Sequence, residues 1–187
     1  MPKAIDVAFE TRVARAMLAE LEEYLKSDVA FWQAGPNALG DRMPKLTIGG
    51  LLEALLRAEA GGAVDAPQVR SMLEAVKARR IDRYLMHAEQ ETRGRLDAWS
   101  GYLNDYDRNP EEAASYYANE VRSRLKAELL LGELEPRARG RAEHARAAAL
   151  DARVRSSFTP GVFVWDERLK PFLPSERFWW LYGRLRG

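Results

Sequence analysis

Helical periodicity is the feature that most restricts what this chain can fold into. Along most of its 187 residues, apolar side chains recur every three to four positions, and no segment alternates as a convincing strand would. The first such stripe is formed by Phe9, Val13, Met17, Leu21 and Leu25. Helices are predicted at about 5–26, 48–60, 67–106, 110–135 and 137–156. The pattern predicts an all-α fold in which residues 1–157 form an antiparallel bundle of four or five helices.

Local signals mark the helix boundaries. Thr47 is predicted to be the N-cap of the second helix, and Gly61 is predicted to end it. The clearest boundary is at Asn109 and Pro110, where a capping residue precedes a proline at the first helical position. These signals support the division into separate helices.

The third helical segment is unusually long for a chain of this size. A helix of about 40 residues would reach about 60 Å. We therefore expect a bend or a split, and the predicted positions are near Arg79 and Arg80 and at Gly94.

The fifth segment differs from the others because alanines occupy its 3–4 spacing. The members of this alanine seam are Ala138, Ala142, Ala145, Ala149 and Ala152. Alanine lets two helices approach closely but supplies little apolar area per residue. The seam is expected to pack against bulky residues of a neighbouring helix, or against a copy of itself.

Regular periodicity is lost after residue 157, and aromatic residues are concentrated there. The aromatic tail, residues 158–187, contains Trp165, Phe172, Phe178, Trp179, Trp180 and Tyr182. Ser175 is predicted to cap a last short helix that Gly183 ends. Because rings this large are costly to leave in water, the tail is expected to pack on the bundle or on a second subunit, and both alternatives stay open.

A second irregular segment, between the first two helices, also carries aromatic residues. Residues 28–47 contain prolines, glycines, Phe31 and Trp32. Long loops without periodicity are uncommon in compact domains. We expect this aromatic-rich loop and the tail to cap one end of the bundle.

Composition excludes several classes of protein. The chain has no cysteine, so disulfides, thiolate nucleophiles and cysteine-ligated metals are excluded. Its net charge of +1 gives no overall attraction to polyanions or membranes. The N-terminus lacks the apolar stretch of a signal peptide, and no uncharged run is long enough to span a bilayer. The expected location is the cytoplasm, without membrane association.

Motifs for metal binding and catalysis are incomplete. A di-iron carboxylate bundle needs Glu-x-x-His twice, but the residues three positions before His87 and His144 are Tyr84 and Arg141. No nucleophile elbow and no complete phosphate-binding loop occur. The sequence therefore predicts no catalytic, metal-binding or cofactor-binding residue.

Two polar stripes remain as alternatives. Arg80, Tyr84, His87 and Glu91 fall on roughly one side of the third helix, where they would form a polar pocket for a small molecule. The segment from Arg137 to Arg155 is rich in arginine. Its candidate contacts to a polyanion are Arg139, Arg146 and Arg153.

The sequence favours a non-enzymatic helical interaction protein that self-associates or serves as an adaptor subunit. The aromatic tail and the alanine seam are its predicted working surfaces. A nucleic-acid-associated protein using the arginine-rich helix is one alternative, and a small-molecule binder or enzyme using the polar pocket is the other.

Overall fold

The computed structural model of the protein describes residues 4–34 and 43–187. Over these residues the chain forms two compact units, an N-terminal unit (Ile5–Glu91) and a C-terminal unit (Thr92–Gly187). The helices are α1 (Val7–Lys26), α2 (Ile48–Ala60), α3 (Ala66–Arg79), α4 (Ile81–Arg108), α5 (Pro110–Leu134) and α6 (Arg141–Ser157). The prediction of an all-α fold is confirmed. The first three residues, and residues 35–42 of the predicted loop, lie outside the described part of the chain.

The N-terminal unit is built on α1 and α2, and both helices begin at side-chain caps. Asp6 accepts a hydrogen bond from Phe9 N–H at the start of α1. Thr47 accepts one from Gly50 N–H at the start of α2, as the sequence predicts. Each cap satisfies an amide that has no partner within its helix.

The helices α1 and α2 run antiparallel at close range. Glu10, near the start of α1, accepts a hydrogen bond of 2.7 Å from Arg57 Nε, near the end of α2. Val7 lies so close to Gly61 that a Cβ at this position would overlap the valine side chain. Gly61 therefore ends α2 and also permits the close approach of α1.

The long third segment of the sequence is split at Arg80, one of the two predicted positions. The Arg80 backbone (φ −129°, ψ 32°) leaves the helical region, which ends α3, and α4 begins at the next residue. No break occurs at Gly94, because α4 continues from Ile81 to Arg108.

The C-terminal unit contains a tight helical hairpin. A single residue, Asn109, separates α4 from α5. Its side chain caps α5, accepting from Glu112 N–H and donating to the Glu112 carboxylate (2.7 Å). Tyr102 of α4 donates a hydrogen bond to the Ala113 carbonyl (3.0 Å), which joins the two helices near the turn.

The helix α6 begins later than the sequence predicts. Residues Glu135–Arg137 form a 3-10 turn, and Ala138 and Gly140 have left-handed backbones (φ 53° and 73°). Two left-handed residues cannot continue a right-handed helix, so the start moves from Arg137 to Arg141.

The tail contains a two-stranded antiparallel sheet that the periodicity does not predict. Its strands are β1 (Phe158–Phe163) and β2 (Tyr182–Leu185), with Phe158 opposite Leu185. The predicted last helix is wrong: between Ser175 and Gly183 the helical structure is limited to a 3-10 turn at Trp179–Leu181. Gly183 lies within β2 at φ 155°, where a Cβ would overlap the Thr159 carbonyl oxygen. Close strand pairing at this glycine replaces the expected helix end.

Candidate functional site

The aromatic tail is largely core material of the C-terminal unit. Of the six residues predicted as an interface, Trp165, Phe178 and Trp180 are buried and Trp179 and Tyr182 are half-buried. Only Phe172 is substantially exposed, at 41%. The tail therefore contributes most of its apolar surface to its own unit.

Hydrogen bonds fix the tail against α5. Tyr117, buried on α5, donates to the Trp180 carbonyl oxygen (2.6 Å). The indole N–H of Trp165 donates to the Ala118 carbonyl oxygen (2.8 Å). Burial raises the pKa of the Tyr117 hydroxyl, so it stays protonated and remains a donor.

A buried arginine connects α5, α6 and the tail. Arg124, only 3% exposed, donates two hydrogen bonds to the Asp151 carboxylate of α6 (2.8 and 2.9 Å) and one to Glu128 (3.0 Å). Its guanidinium group lies 4.0 Å from the ring centroid of Trp180. Arg177 of the tail donates to the other Glu128 oxygen (2.7 Å). We call these residues the Arg124 cluster.

The Arg124 cluster changes the protonation equilibrium of its carboxylate. Burial opposes ionisation of Glu128, but the charges and hydrogen bonds of Arg124 and Arg177 outweigh it. The pKa of Glu128 therefore lies below its ordinary value, and the side chain remains anionic at neutral pH.

Ion pairs between α4 and α6 form a ladder. Its rungs join Arg93 to Glu143 (2.6 Å), Asp97 to Arg146 (2.7 Å) and Asp107 to Arg153 (2.5 Å). Because the residue numbers increase together, α6 runs parallel to α4. Two of the three predicted polyanion contacts, Arg146 and Arg153, thus have carboxylate partners within the unit.

The third predicted polyanion contact lies elsewhere. Arg139 borders a shallow depression before and at the start of α6, together with Glu135, Arg141 and His144. A further arginine, Arg155, stacks on Trp179, 3.9 Å from the ring centroid. The arginines of this segment are therefore used in several different local contacts.

The alanine seam points outward. Its α6 members, Ala142, Ala145, Ala149 and Ala152, are all exposed, and so is Ala138 in the preceding turn. The opposite face of α6 is buried through Ala147, Leu150 and Val154. The larger apolar side chains of α6 thus determine which face enters the core, and the alanines are left outside. We call the four seam residues that lie on α6 (Ala142, Ala145, Ala149 and Ala152) the alanine face.

The four residues predicted to form a polar pocket lie in the N-terminal unit, where they contact neighbouring helices. Arg80 pairs with Glu22 of α1 (3.2 Å), and Tyr84 is fully buried with the Lys77 ammonium over its ring. Glu91 accepts a hydrogen bond from Gly49 N–H in the first turn of α2 (2.8 Å). This contact adds a second cap to α2.

His87, the fourth residue of the stripe, serves the end of α1. It is 2% exposed, its Nε2 lies 3.0 Å from the Ser27 carbonyl oxygen, and its ring packs on Tyr24. Burial lowers the pKa of the imidazole, and the nearby Arg83 lowers it further, against opposing contributions from Ser27 and two carboxylates. At neutral pH a neutral ring that donates from Nε2 fits this position.

A groove between α4 and α5 is a surface feature of the C-terminal unit that sequence reasoning missed. It encloses about 610 Å³. Tyr102 and Ala113 lie at its base, and Tyr116, 54% exposed, stands on one wall. One signal was available in the sequence: Glu112, Tyr116 and Glu120 are four residues apart and thus share one side of α5.

Within residues 4–34 and 43–187, no group of three or more potential ligands could hold a metal ion. None of the helices in the described part of the chain is both long enough and apolar enough to cross a bilayer. Comparisons with protein-family models, curated proteins and solved structures found no match to this chain.

Proposed function

We propose that this protein is a non-enzymatic, cytoplasmic helical interaction protein that self-associates through the alanine face of α6. The observation that carries the proposal is the outward direction of four regularly spaced alanines on a helix that is otherwise fixed to its unit. Such a face lets a second helix approach closely because no long side chain intervenes.

The flanking arginines support an apolar contact at this face. Arg146 and Arg153 are neutralised by Asp97 and Asp107, and Arg155 stacks on Trp179. The guanidinium groups of these three arginines are thus held by contacts within the C-terminal unit. The same contacts weaken the alternative of a polyanion site, because phosphates would have to compete with carboxylates already in place.

The size of the face sets the expected strength of association. From Ala142 to Ala152 it extends over about 15 Å of helix, and alanine contributes little area per residue. We therefore expect a weak, concentration-dependent dimer rather than an obligate one.

Sedimentation velocity over a concentration series tests the proposal. The intact chain is expected to shift from monomer towards dimer with rising concentration, and the double substitution Ala145→Glu with Ala149→Glu should keep it monomeric. His144→Glu is the matched control, because it also adds negative charge to an exposed position of α6.

Two results would contradict the proposal. One is a wild-type protein that remains monomeric at the highest soluble concentration. The other is a dimer that survives the double alanine substitution, which would assign self-association to another surface. Circular dichroism spectra of all variants show whether the fold is retained.

A further inference from the structure

We propose that the groove between α4 and α5 binds a basic segment of a partner protein, in an extended conformation and through its arginine or lysine side chains. This surface is separate from the alanine face, so the proposal does not depend on self-association. It is carried by the shape of the groove, its charge, and the placement of one exposed tyrosine between two carboxylates.

The shape fits a peptide segment. The volume of about 610 Å³ lies within the range of roughly 300–1,000 Å³ that ligand sites occupy. Its base is well defined, because the buried Tyr102 ring is held by the hydrogen bond from its hydroxyl to the Ala113 carbonyl oxygen (3.0 Å). The groove is open along the helices, so an extended chain has room to enter and leave.

The charge of the groove is opposite to that of the whole chain. Three carboxylates (Asp105, Glu112 and Glu120) and one guanidinium (Arg108) border it, which gives a local charge of −2 in a protein of net charge +1. Arg108 pairs with Asp105 (3.3 Å), and Glu112 accepts a hydrogen bond from Asn109. Within the described part of the chain, Glu120 forms no ion pair.

The α5 wall presents an acid, an aromatic ring and a second acid in order. Glu112, Tyr116 and Glu120 lie at intervals of four residues, which places the two acids about 12 Å apart along α5. A cation over the tyrosine face gains from the ring quadrupole as well as from the carboxylates. Two arginines four residues apart in an extended peptide are separated by about 13 Å, which matches this spacing.

Two of the α4 residues that line the groove have little or no side chain. Ala98 and Gly101 border the groove, and a Cβ added at Gly101 would meet nothing within 4 Å in the described structure. A glycine inside an exposed helix costs about 1 kcal/mol relative to alanine, and internal packing gives no reason for it here. Its effect is to leave the α4 backbone open to an approaching chain.

Isothermal titration calorimetry at low ionic strength tests the proposal with the full-length protein. The probe is the capped peptide acetyl-Gly-Arg-Ala-Ala-Ala-Arg-Gly-amide, and the comparison peptide has glutamate in place of both arginines. We expect the arginine peptide alone to bind, and its affinity to fall with added salt, since the contacts are solvent-exposed.

Substitutions then locate the binding. The double substitution Glu112→Gln with Glu120→Gln should weaken binding by about tenfold, whereas the control Glu111→Gln, on the same helix turn outside the groove, should change it little. Tyr116→Phe should retain affinity and Tyr116→Ala should lose it, because the ring rather than the hydroxyl faces the cation.

A steric test separates groove binding from general charge attraction. Gly101→Leu should block the groove and abolish binding, and Gly94→Leu, at an equally open position of α4 that does not border the groove, should not. The proposal is overturned if the arginine peptide does not bind at millimolar concentration, or if Gly101→Leu and Gly94→Leu bind it equally. It is also overturned if Gly101→Leu changes only the self-association of the protein, which would assign the groove to a second copy.

Discussion

Both units are helical, but among the described residues the buried arginine that holds several elements together, Arg124, lies in the C-terminal unit. In the N-terminal unit some polar side chains join helices, as Arg57 and Glu10 do, and others serve helix ends: Arg83 donates to the Leu25 and Ser27 carbonyl oxygens (2.8 and 2.6 Å) at the end of α1, and Glu91 caps α2. In the C-terminal unit they connect different elements, as the Arg124 cluster and the α4–α6 ladder do.

The use of charged contacts to hold α6 follows from the small apolar area that this helix can bury. The helices α1 and α2 face each other with large side chains such as Met17, Leu21 and Leu55. The buried face of α6 offers Ala147, Leu150 and Val154, which supply less area. Hydrogen-bonded charges and stacked aromatic rings therefore do more to hold α6 and the tail.

The largest expected effect on stability distinguishes Arg124, which joins several elements, from Arg83, which contacts the end of α1. Arg124→Ala should lower the free energy of unfolding by about 3–5 kcal/mol, because it leaves the half-buried Asp151 without its cation and Glu128 with Arg177 alone. Arg83→Ala should cost only about 1 kcal/mol, because helix-end contacts near solvent are weaker. Urea denaturation followed by circular dichroism and tryptophan fluorescence measures both.

Arg184→Ala is the control for this comparison, since Arg184 is an exposed arginine of the C-terminal unit. It should stay within about 0.5 kcal/mol of the wild type. If Arg83→Ala and Arg124→Ala lowered the free energy of unfolding equally, the proposed contrast between the two units would be wrong.

A second, smaller effect concerns close helix packing in the N-terminal unit. Gly61→Ala should destabilise the protein by about 1–3 kcal/mol, because the new Cβ would overlap Val7 and force the two helices apart. Thermal or urea unfolding measures the change. Adding Val7→Ala to the same variant should recover part of the loss, and a failure to recover it would place the cause elsewhere.

In contrast to Gly61, a glycine of α4 in the C-terminal unit is expected to stabilise the protein when it is replaced by alanine. Gly94 is exposed, and a Cβ there would meet nothing within 4 Å in the described structure. Gly94→Ala should therefore raise the free energy of unfolding by up to about 1 kcal/mol through helix propensity. A decrease on urea denaturation would show that this glycine has a structural role of its own.

The smallest expected effects concern how the free energy of unfolding depends on pH. The pKa of His87 is below its ordinary value of 6.5, so the folded state binds fewer protons than the unfolded one and stability is lost as the pH falls below about 6.5. The pKa of Glu128 is below 4.5, so its contribution is complete above that pH and is lost as the pH falls further.

Urea titrations over a pH series distinguish the two groups. His87→Gln keeps a donor for Ser27 and should flatten the loss below about pH 6.5, leaving the steeper loss at lower pH. Glu128→Gln should flatten the profile of stability against pH only in its more acidic part, below about pH 4.5. Identical profiles for these two variants would mean that neither group determines the pH range attributed to it.

The helices could be predicted from the sequence because their signals are local. Apolar spacing located α1 and α2, and Asn109 with Pro110 located the start of α5. The break near Arg80 was predicted because the apolar stripe is interrupted there and a single helix would have been too long. In contrast, β1 and β2 pair residues 158 and 185, and such long-range pairing leaves no short-range pattern.

The candidate sites could be predicted only in part. The alanine seam was visible as spacing, but its outward direction depends on competition with Leu150 and Val154 for the buried face. The groove needed the pairing of α4 with α5 to be known, although Glu112, Tyr116 and Glu120 already shared one side of a helix. The buried tail places Trp180 against Arg124, whose partners come from three separate segments.

The most direct test of self-association through α6 is disulfide trapping. Because the chain has no cysteine, a single introduced thiol can pair only with its copy in a second molecule. At least one of Ala145→Cys, Ala149→Cys and Ala152→Cys should form a covalent dimer rapidly under mild oxidation, since a disulfide needs Cα atoms within about 7 Å. His144→Cys, on another side of α6, should react slowly. Equal rates at all four positions, or no covalent dimer at any, would contradict a contact between alanine faces.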